Sequence, residues 1–110
     1  MFQAKLGDQV IAQADDADVI HIEGNVYFPP SAVVDGVLRD SSTPYTCPWK
    51  GECQYFSVRA PSTGSGQRGE QWLTDRAWAY PHPYPSAFDR VGKDFSGYVA
   101  FWKDVQVSQA

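Results

Sequence analysis

The strongest strand signal in the chain is the segment 98–107, with the sequence YVAFWKDVQV. Side chains alternate between the two faces of a strand. One predicted face therefore carries Val99, Phe101, Val105 and Val107, and the other carries Tyr98, Ala100 and Trp102. Both faces are mainly apolar or aromatic, so this segment predicts a strand at the centre of a small β-rich core.

Further short strands are predicted upstream, each bounded by turn residues. They cover residues 9–13, 18–23, 26–28, 54–59 and 76–80. The segment 14–17 is expected to be the turn between the first two, and the apolar pattern slips at Tyr55-Phe56, which indicates burial on both faces or a bulge. Many short strands at this spacing are typical of a small barrel or a folded sheet and not of alternating strands and helices.

The segments between these strands give weaker signals. A short helix is predicted over 31–38, where Ser31 is a candidate N-cap, and residues 39–44 are expected to form a loop. A glycine-rich hairpin loop is expected over 61–69, and three prolines at 81, 83 and 85 exclude helix and central strand there. We therefore expect one domain over residues 1–110, mainly β, with a barrel-like or bent antiparallel sheet and one or two short helices.

Composition excludes several function classes. The chain has 110 residues, a formal charge of −4 and a pI near 4.9, which disfavours a nucleic-acid partner because such proteins need a basic surface. No apolar run approaches the length of a membrane span, and no export signal follows Met1. We therefore expect a cytoplasmic protein that does not bind membranes and whose two cysteines are reduced.

Two patterns that suggest a bound group are weak. The string 64–69 matches the glycine pattern of dinucleotide-binding loops, but the prolines that follow break the strand–helix–strand unit that this pattern needs. Asp16 and Asp18 supply too few oxygens for a hard cation. The spacing of Cys47 and Cys53 differs from that of structural zinc sites, although a zinc site formed in three dimensions stays open. The prediction is a protein with no cofactor and no metal.

The most unusual stretch is 46–51, TCPWKG, which combines a thiol, a proline, an aromatic ring, a cation and a glycine. Lys50 is expected to lower the pKa of Cys47 and make it a better nucleophile or a contact for an anion. The simpler interpretation is that Cys47 and Trp49 fill the core while Lys50 points to water.

A second rigid loop, 80–85, has the sequence YPHPYP. Tyrosines beside prolines lie on constrained backbone, where their rings can line a site. Tyr80 and Tyr84, together with Tyr27 and Trp49, are the candidate substrate-binding residues. His82 is a candidate acid or base because histidine titrates near neutral pH.

Four ordered blocks, 21–29, 46–51 with 55–58, 78–85 and 97–102, resemble the family known as Domain of Unknown Function 427. The resemblance covers nearly the whole chain and implies a compact, mostly β domain. The family has also carried a nucleotidyltransferase-like label, but the carboxylates and phosphate-binding loop that this chemistry needs are not visible here. The segment 61–69 looks longer than the hairpin usual in the family, which argues against a functional role for it.

Three hypotheses about function follow. The first is a module that binds a small, anionic molecule in a site made by the loop 47–51, Tyr27 and the loop 80–85. The second is an enzyme in which Cys47 is the nucleophile, Lys50 lowers its pKa and His82 carries the proton. The third is a protein-interaction or self-association module, so the chain is expected to be a monomer or a homodimer.

Overall fold

The structure, a computed structural model, describes residues 1–60 and 71–109. These residues form nine strands, one α-helix and one turn of 3-10 helix. The strands are β1 (Phe2–Leu6), β2 (Gln9–Ala14), β3 (Ile20–Ile22), β4 (Asn25–Tyr27), β5 (Leu38–Cys47), β6 (Gly51–Arg59), β7 (Trp72–Ala79), β8 (Val99–Phe101) and β9 (Val105–Gln109). The α-helix, α1, is Pro85–Val91, and the 3-10 turn is Pro30–Ala32.

The strands form antiparallel sheets that follow one another around the core. One sheet has the order β2-β1-β9, another has the order β5-β6-β7-β8, and β3 pairs with β4 as a hairpin. Phe28 and Val99 exchange two backbone hydrogen bonds of 2.8 Å, which attach this hairpin to the free side of β8. The fold is therefore mainly β with a bent antiparallel sheet, and the described strands do not close into a barrel.

The interior consists of two groups of buried side chains. The first is aliphatic, apart from Phe28 and Phe101, and lies between the sheets. The second is rich in aromatic residues and also contains a thiol; its buried members are Ile20, Ile22, Tyr27, Cys47, Trp78, Tyr80, Ala87, Phe95 and Ala100. Most of the candidate functional residues contact this second group.

The predicted helix over 31–38 is wrong. Only Pro30–Ala32 adopts a helical conformation, as one 3-10 turn, after which Val33 is extended and forms a β-bridge with Ala12 of β2. Gly36 has a φ of +80°, which ends any helix, and three valines in this stretch disfavour one. The predicted loop over 39–44 is also wrong, because these residues belong to β5, whose pairing with β6 shifts register between Asp40 and Pro44.

The segment 98–107 is two strands and not one. Lys103 has a φ of +59°, and the Val105 amide donates to the Trp102 carbonyl, so the chain turns sharply between β8 and β9. The turn lies at residues 15–18, one residue later than the predicted 14–17, because Ala14 still belongs to β2. Since β2 pairs with β1 and β3 pairs with β4, this turn does not close a hairpin. Alternation along a segment identifies strands but does not identify their partners.

A bulge, one of the two explanations offered for the slipped pattern at Tyr55-Phe56, interrupts the pairing of β6 with β7 next to Phe56. Phe56 is opposite Ala77 and Val58 is opposite Leu73, so the extra residues lie on β7. The predicted loop 61–69, with its glycine pattern, lies outside the described residues. None of the helices in the described residues is long and apolar enough to cross a membrane.

Helix α1 begins at Pro85, where the sequence predicted neither helix nor strand. A proline is favoured in the first helical turn because its missing amide hydrogen has no partner there. Gly92 ends the helix with a φ of +82°, and its amide donates to the Phe88 carbonyl. This proline–glycine signature was present in the sequence, and it shows that only the first two prolines of the 81–85 run exclude helix.

Candidate functional site

The two proline-containing loops meet at Gly51. The Tyr84 amide donates a 3.0 Å hydrogen bond to the Lys50 carbonyl. Gly51 has a φ of +115°, and a Cβ atom placed there would lie 3.4 Å from the His82 carbonyl oxygen. A glycine is required because other residues disfavour this backbone angle and because the loops pack so closely.

Lys50 is buried, and its side chain is only 7% exposed. The ammonium lies 5.1 Å from the ring centre of Trp49 and 5.0 Å from that of Tyr80. Its Nζ donates to Glu23 Oε1 at 2.5 Å. The expectation that Lys50 points to water in the simpler interpretation is therefore wrong, because a carboxylate and two aromatic rings surround the charge.

Glu23 reaches Lys50 from the tip of the β3–β4 hairpin. Ile22 pairs with Asn25, so Glu23 and Gly24 form a two-residue turn, with φ angles of +53° and +81°. Such turns need positive φ at both positions and are usually made of asparagine, aspartate or glycine. Glutamate in this conformation costs about 1 kcal/mol. The strained backbone places the carboxylate over the lysine while 53% of the Glu23 side chain stays exposed.

Two further groups face the Glu23 carboxylate. The side chain of Trp49 and the charge of Arg90, which lies on α1, both favour the ionised form of this carboxylate and help to lower its pKa. The Arg90 guanidinium lies 4.4 Å from the centre of the Trp49 ring. A half-exposed carboxylate thus has an ammonium, an indole and a guanidinium around it, which is the donor set of an anion site.

The electrostatics of the ion pair follow from these contacts. The hydrogen bond from Lys50 is the main cause that holds the pKa of Glu23 below its usual value. Burial is the largest single influence on the pKa of Lys50 and would lower it, but the hydrogen bond to Glu23 and the electrostatic interactions with Glu23 and other neighbours together outweigh burial, and the pKa of Lys50 is raised. Both groups are therefore charged at neutral pH.

The two thiols have different surroundings. Cys47 is the last residue of β5, is 6% exposed and packs in the aromatic core. Cys53 is half-buried on β6, and burial raises its pKa to about 11, although the charge of Lys50 acts in the opposite direction. Cys53 is thus a protonated thiol at neutral pH.

Tyr27 and Tyr80 are buried and form part of the aromatic core. Tyr27 accepts a 3.0 Å hydrogen bond from Trp78 Nε1 at its hydroxyl. Burial raises the pKa of both phenols, so both are neutral. Tyr80 contacts Lys50 through its ring and is a wall of the site, whereas Tyr27 supports it from inside.

His82 and Tyr84 are exposed, and they contact the site through their backbone. A cavity of about 90 Å³ beside this loop is lined by Glu52, Cys53, Gln54, Pro81 and His82. Cys47 and Lys50 are not among the described residues that line it. The structure thus brings together Cys47, Trp49, Lys50, Tyr27 and Tyr80, while His82 lines the small cavity beside Cys53.

A larger open cleft, of about 730 Å³, contains none of the residues predicted from the sequence. Its walls include Asp15, Asp18, Lys93, Asp94 and Tyr98. Among the described residues, no group of three or more histidine, cysteine, aspartate or glutamate side chains is arranged to hold a metal. At Lys50, by contrast, a buried ammonium and two aromatic rings lie against a partly exposed carboxylate.

Sequence reasoning missed Glu23 and Arg90, which complete the site. Glu23 lies in the recognised block 21–29, but its positive φ could not be read from the residue type. Arg90 was missed because α1 was not predicted. The signals available were the Glu23-Gly24 turn and the proline and glycine that bound α1.

These features define a small, mainly β domain with a preformed cationic and aromatic site beside its aromatic core. The sequence model of the family described as Domain of unknown function (DUF427) matches residues 1–109. The chain belongs to this family. No curated protein matches the chain.

Proposed function

We propose that this domain binds a small anionic molecule at Lys50, and that the Glu23 carboxylate occupies the position of the ligand's anionic group in the free protein. The observation that supports this is the contrast within the ion pair. The lysine is 7% exposed, whereas its carboxylate partner is 53% exposed and lies at the outer side of the site. A ligand carboxylate or phosphate can approach from solvent and replace Glu23 without uncovering the lysine.

The donors remain in place when Glu23 leaves. Lys50 is fixed by two aromatic rings and by the backbone contact with Tyr84, and Arg90 rests on Trp49. Without Glu23, two cations face the site in a chain whose net charge is −4. A local excess of positive charge in an acidic protein selects anions, and it gains strength from partial burial.

The hairpin tip favours exchange. Glu23 holds a backbone angle that strains it, so release of the tip recovers part of that strain. The turn is exposed to solvent at both Glu23 and Gly24, and a Cβ atom at Gly24 would contact nothing within 4 Å. Displacement of a strained, exposed tip costs less than displacement of a buried partner.

The ligand's remaining part is expected to be planar or apolar. Trp49 is half-buried beside the ammonium and presents a ring at the position where the body of a ligand would follow its anionic group. Aromatic carboxylates and phosphorylated compounds with a ring are therefore the first classes to test.

The test is calorimetric titration with benzoate, indole acetate and inorganic phosphate, repeated by NMR with the Trp49 indole hydrogen as the reporter. Glu23→Gln removes the competing carboxylate and is expected to strengthen binding about tenfold. Lys50→Met is expected to abolish it. Lys93→Met removes an exposed lysine elsewhere and is the matched control, which should bind like the unmodified protein. Equal affinities in all four proteins would refute the proposal.

The enzyme hypothesis keeps one supporting observation, which is that Cys47 belongs to the same aromatic group as Tyr80, whose ring contacts the Lys50 ammonium. It requires that the Cys47 thiol, now buried, becomes accessible. The rate of alkylation of Cys47 as a function of pH, measured in a Cys53→Ser background, tests this. Rapid alkylation at neutral pH favours an enzyme, whereas slow alkylation at every pH contradicts it.

A further inference from the structure

A row of aromatic side chains crosses the β5–β8 sheet and reaches the surface. Tyr45 of β5, Tyr55 of β6 and Trp102, just after β8, follow one another with ring centres 6.4 and 6.3 Å apart. Trp78 of β7 supports Trp102 from one side, edge to face, at 5.2 Å. Tyr45 is 47% exposed and Trp102 is 39% exposed, so the row presents ring surface to solvent.

The three rings lie side by side as a platform and do not stack face to face. Tyr55 and Trp102 are within 20° of parallel, and at a separation of 6.3 Å parallel rings overlap little. The tilt between Tyr45 and Tyr55 is 52°. The row therefore offers adjacent ring faces along the direction that crosses the strands.

A strained acidic residue holds this platform in place. Asp75 lies where the β6–β7 register shifts, and its φ is +56°. Its carbonyl accepts a 2.6 Å hydrogen bond from Trp102 Nε1, and its Oδ2 accepts one of 2.6 Å from the Thr43 hydroxyl. Bulges of this kind redirect a side chain and are common beside binding sites.

Asp75 also carries an unused acceptor. Its Oδ1 is buried and has no hydrogen-bond partner among the described residues. A buried carboxylate oxygen without a donor is unfavourable, and the terminal torsion of aspartate is broad enough for a small rotation to present it to a ligand. The platform thus has apolar ring faces and, beside them, a carboxylate oxygen that lacks a hydroxyl or amide donor.

The local charge indicates a neutral ligand. Arg76 pairs with Asp104 at 2.8 Å, and the exposed Lys103 ammonium lies over the Trp102 ring at 4.7 Å. A second cation would be repelled by Lys103, and a nucleic acid would be repelled by the acidic chain. Pairing of a second copy through the β5 edge is disfavoured by Pro44 and by the register shift beside it.

We infer that the platform of Tyr45, Tyr55 and Trp102, with Asp75 beside it, is a second binding site, for a neutral carbohydrate. A pyranose has an apolar face of C–H groups that packs on aromatic rings and a rim of hydroxyls that donate to carboxylates. Successive sugar units lie along the row, and one hydroxyl satisfies Asp75. This site is independent of the anion site at Lys50.

The test is NMR titration of the full chain with hexasaccharides of β-1,4-linked glucose, xylose and N-acetylglucosamine. The Trp102 indole hydrogen is the reporter for this site, and the Trp49 indole hydrogen reports on the anion site. At least one hexasaccharide is expected to shift the Trp102 signal in a saturable way and to leave the Trp49 signal in place. Trp102→Ala and Tyr45→Ala are titrated by calorimetry, because the first variant lacks the indole reporter, and each is expected to weaken binding about tenfold or more, by analogy with stacked bases.

Two variants make the outcome independent of folding. Trp102→Phe keeps a ring and should retain part of the binding, with unchanged signal dispersion as the proof of folding. Val34→Ala removes an exposed apolar side chain elsewhere and should bind as the unmodified protein does. The inference is overturned if no hexasaccharide shifts the Trp102 signal at millimolar concentration. It is also overturned if that signal instead responds to tetramethylammonium, to a single-stranded oligonucleotide or to protein concentration.

Discussion

Glu23→Gln is expected to destabilise the domain more than Lys50→Met does, although Glu23 is the more exposed partner. Removal of the carboxylate leaves an ammonium that is 7% exposed without a counter-charge. Removal of the lysine leaves only a half-solvated carboxylate at a hairpin tip. A methionine at position 50 keeps most of the volume and packs on the rings of Trp49 and Tyr80.

The magnitude follows from the position of the pair between bulk water and the interior. At 2.5 Å the gross attraction is about 7 kcal/mol for an effective dielectric constant of about 20 and about 2 kcal/mol for that of water. Desolvation of Lys50 and solvent screening at Glu23 remove most of this. Loss of one partner costs about 3–5 kcal/mol for a fully buried pair and about 0–1 kcal/mol at the surface. We expect about 1.5–2.5 kcal/mol for Glu23→Gln and about 0–1 kcal/mol for Lys50→Met.

The assay is urea unfolding at neutral pH of the unmodified protein, the two single variants and the double variant. The double variant is expected to be close to Lys50→Met, because the unpaired ammonium is then absent. Asp104→Asn breaks the exposed pair with Arg76 and is the matched control, with an expected cost below about 1 kcal/mol. The reasoning is refuted if Lys50→Met is the more destabilising variant or if Glu23→Gln lies within the error of the unmodified protein.

Further predictions concern pH and backbone geometry. The pKa of Glu23 is lower in the folded protein than its usual value of 4.5, so the ion pair stabilises the fold fully above pH 4.5, and this stabilisation is lost as the pH falls through the lowered pKa. Glu23→Gln should therefore make the free energy of unfolding depend less on pH in the acidic range. The raised pKa of Cys53 has the opposite sign, so its contribution to stability is lost as the pH rises from 9 towards 11. Cys53→Ala should reduce this loss, while the buried phenols of Tyr27 and Tyr80, whose pKa values are also raised, add the same loss in both proteins. Gly51→Ala should cost about 1–3 kcal/mol in urea unfolding and weaken anion binding, because it strains the backbone and separates the two loops; unchanged binding would contradict the role given to their contact. Gly92→Ala, which strains a similar backbone angle at the end of α1, should cost about 1 kcal/mol and serves as the control for Gly51→Ala, with anion binding intact.

The sequence predicted the strand-rich class because alternation and turn residues are local signals. It did not predict the features that depend on which segments contact each other in the folded chain. The valines after Ser31 have helical spacing, but their β-branched side chains and Gly36 favour the extended backbone that bridges β2. Apolar and polar side chains follow a strand pattern through the segment 98–107, yet Lys103 adopts a positive φ, which a lysine in the sequence does not indicate.

The candidate site shows the same division. Cys47, Trp49 and Lys50 were recognised because an unusual composition in one loop is visible in one dimension, and the contact with the second proline loop was correctly expected. The partner of the lysine was not, since Glu23 is 27 residues away and reaches it only through a strained turn. His82 lines the cavity beside Cys53, and the contact of its loop with Gly51 is made by backbone atoms.

The strain at Glu23 is the strongest reason to regard the ion pair as functional. Stability alone does not require it, because a buried lysine with one partner is often no better than a well-packed apolar residue. Asparagine or glycine at the same turn position would relieve the backbone, and methionine at position 50 would remove the need for a counter-charge. The chain instead keeps a costly lysine, a strained glutamate to neutralise it and an arginine that faces the same carboxylate. The lysine, the strained glutamate and the arginine are all explained by a site that is neutral when empty and becomes cationic when the Glu23 carboxylate moves aside.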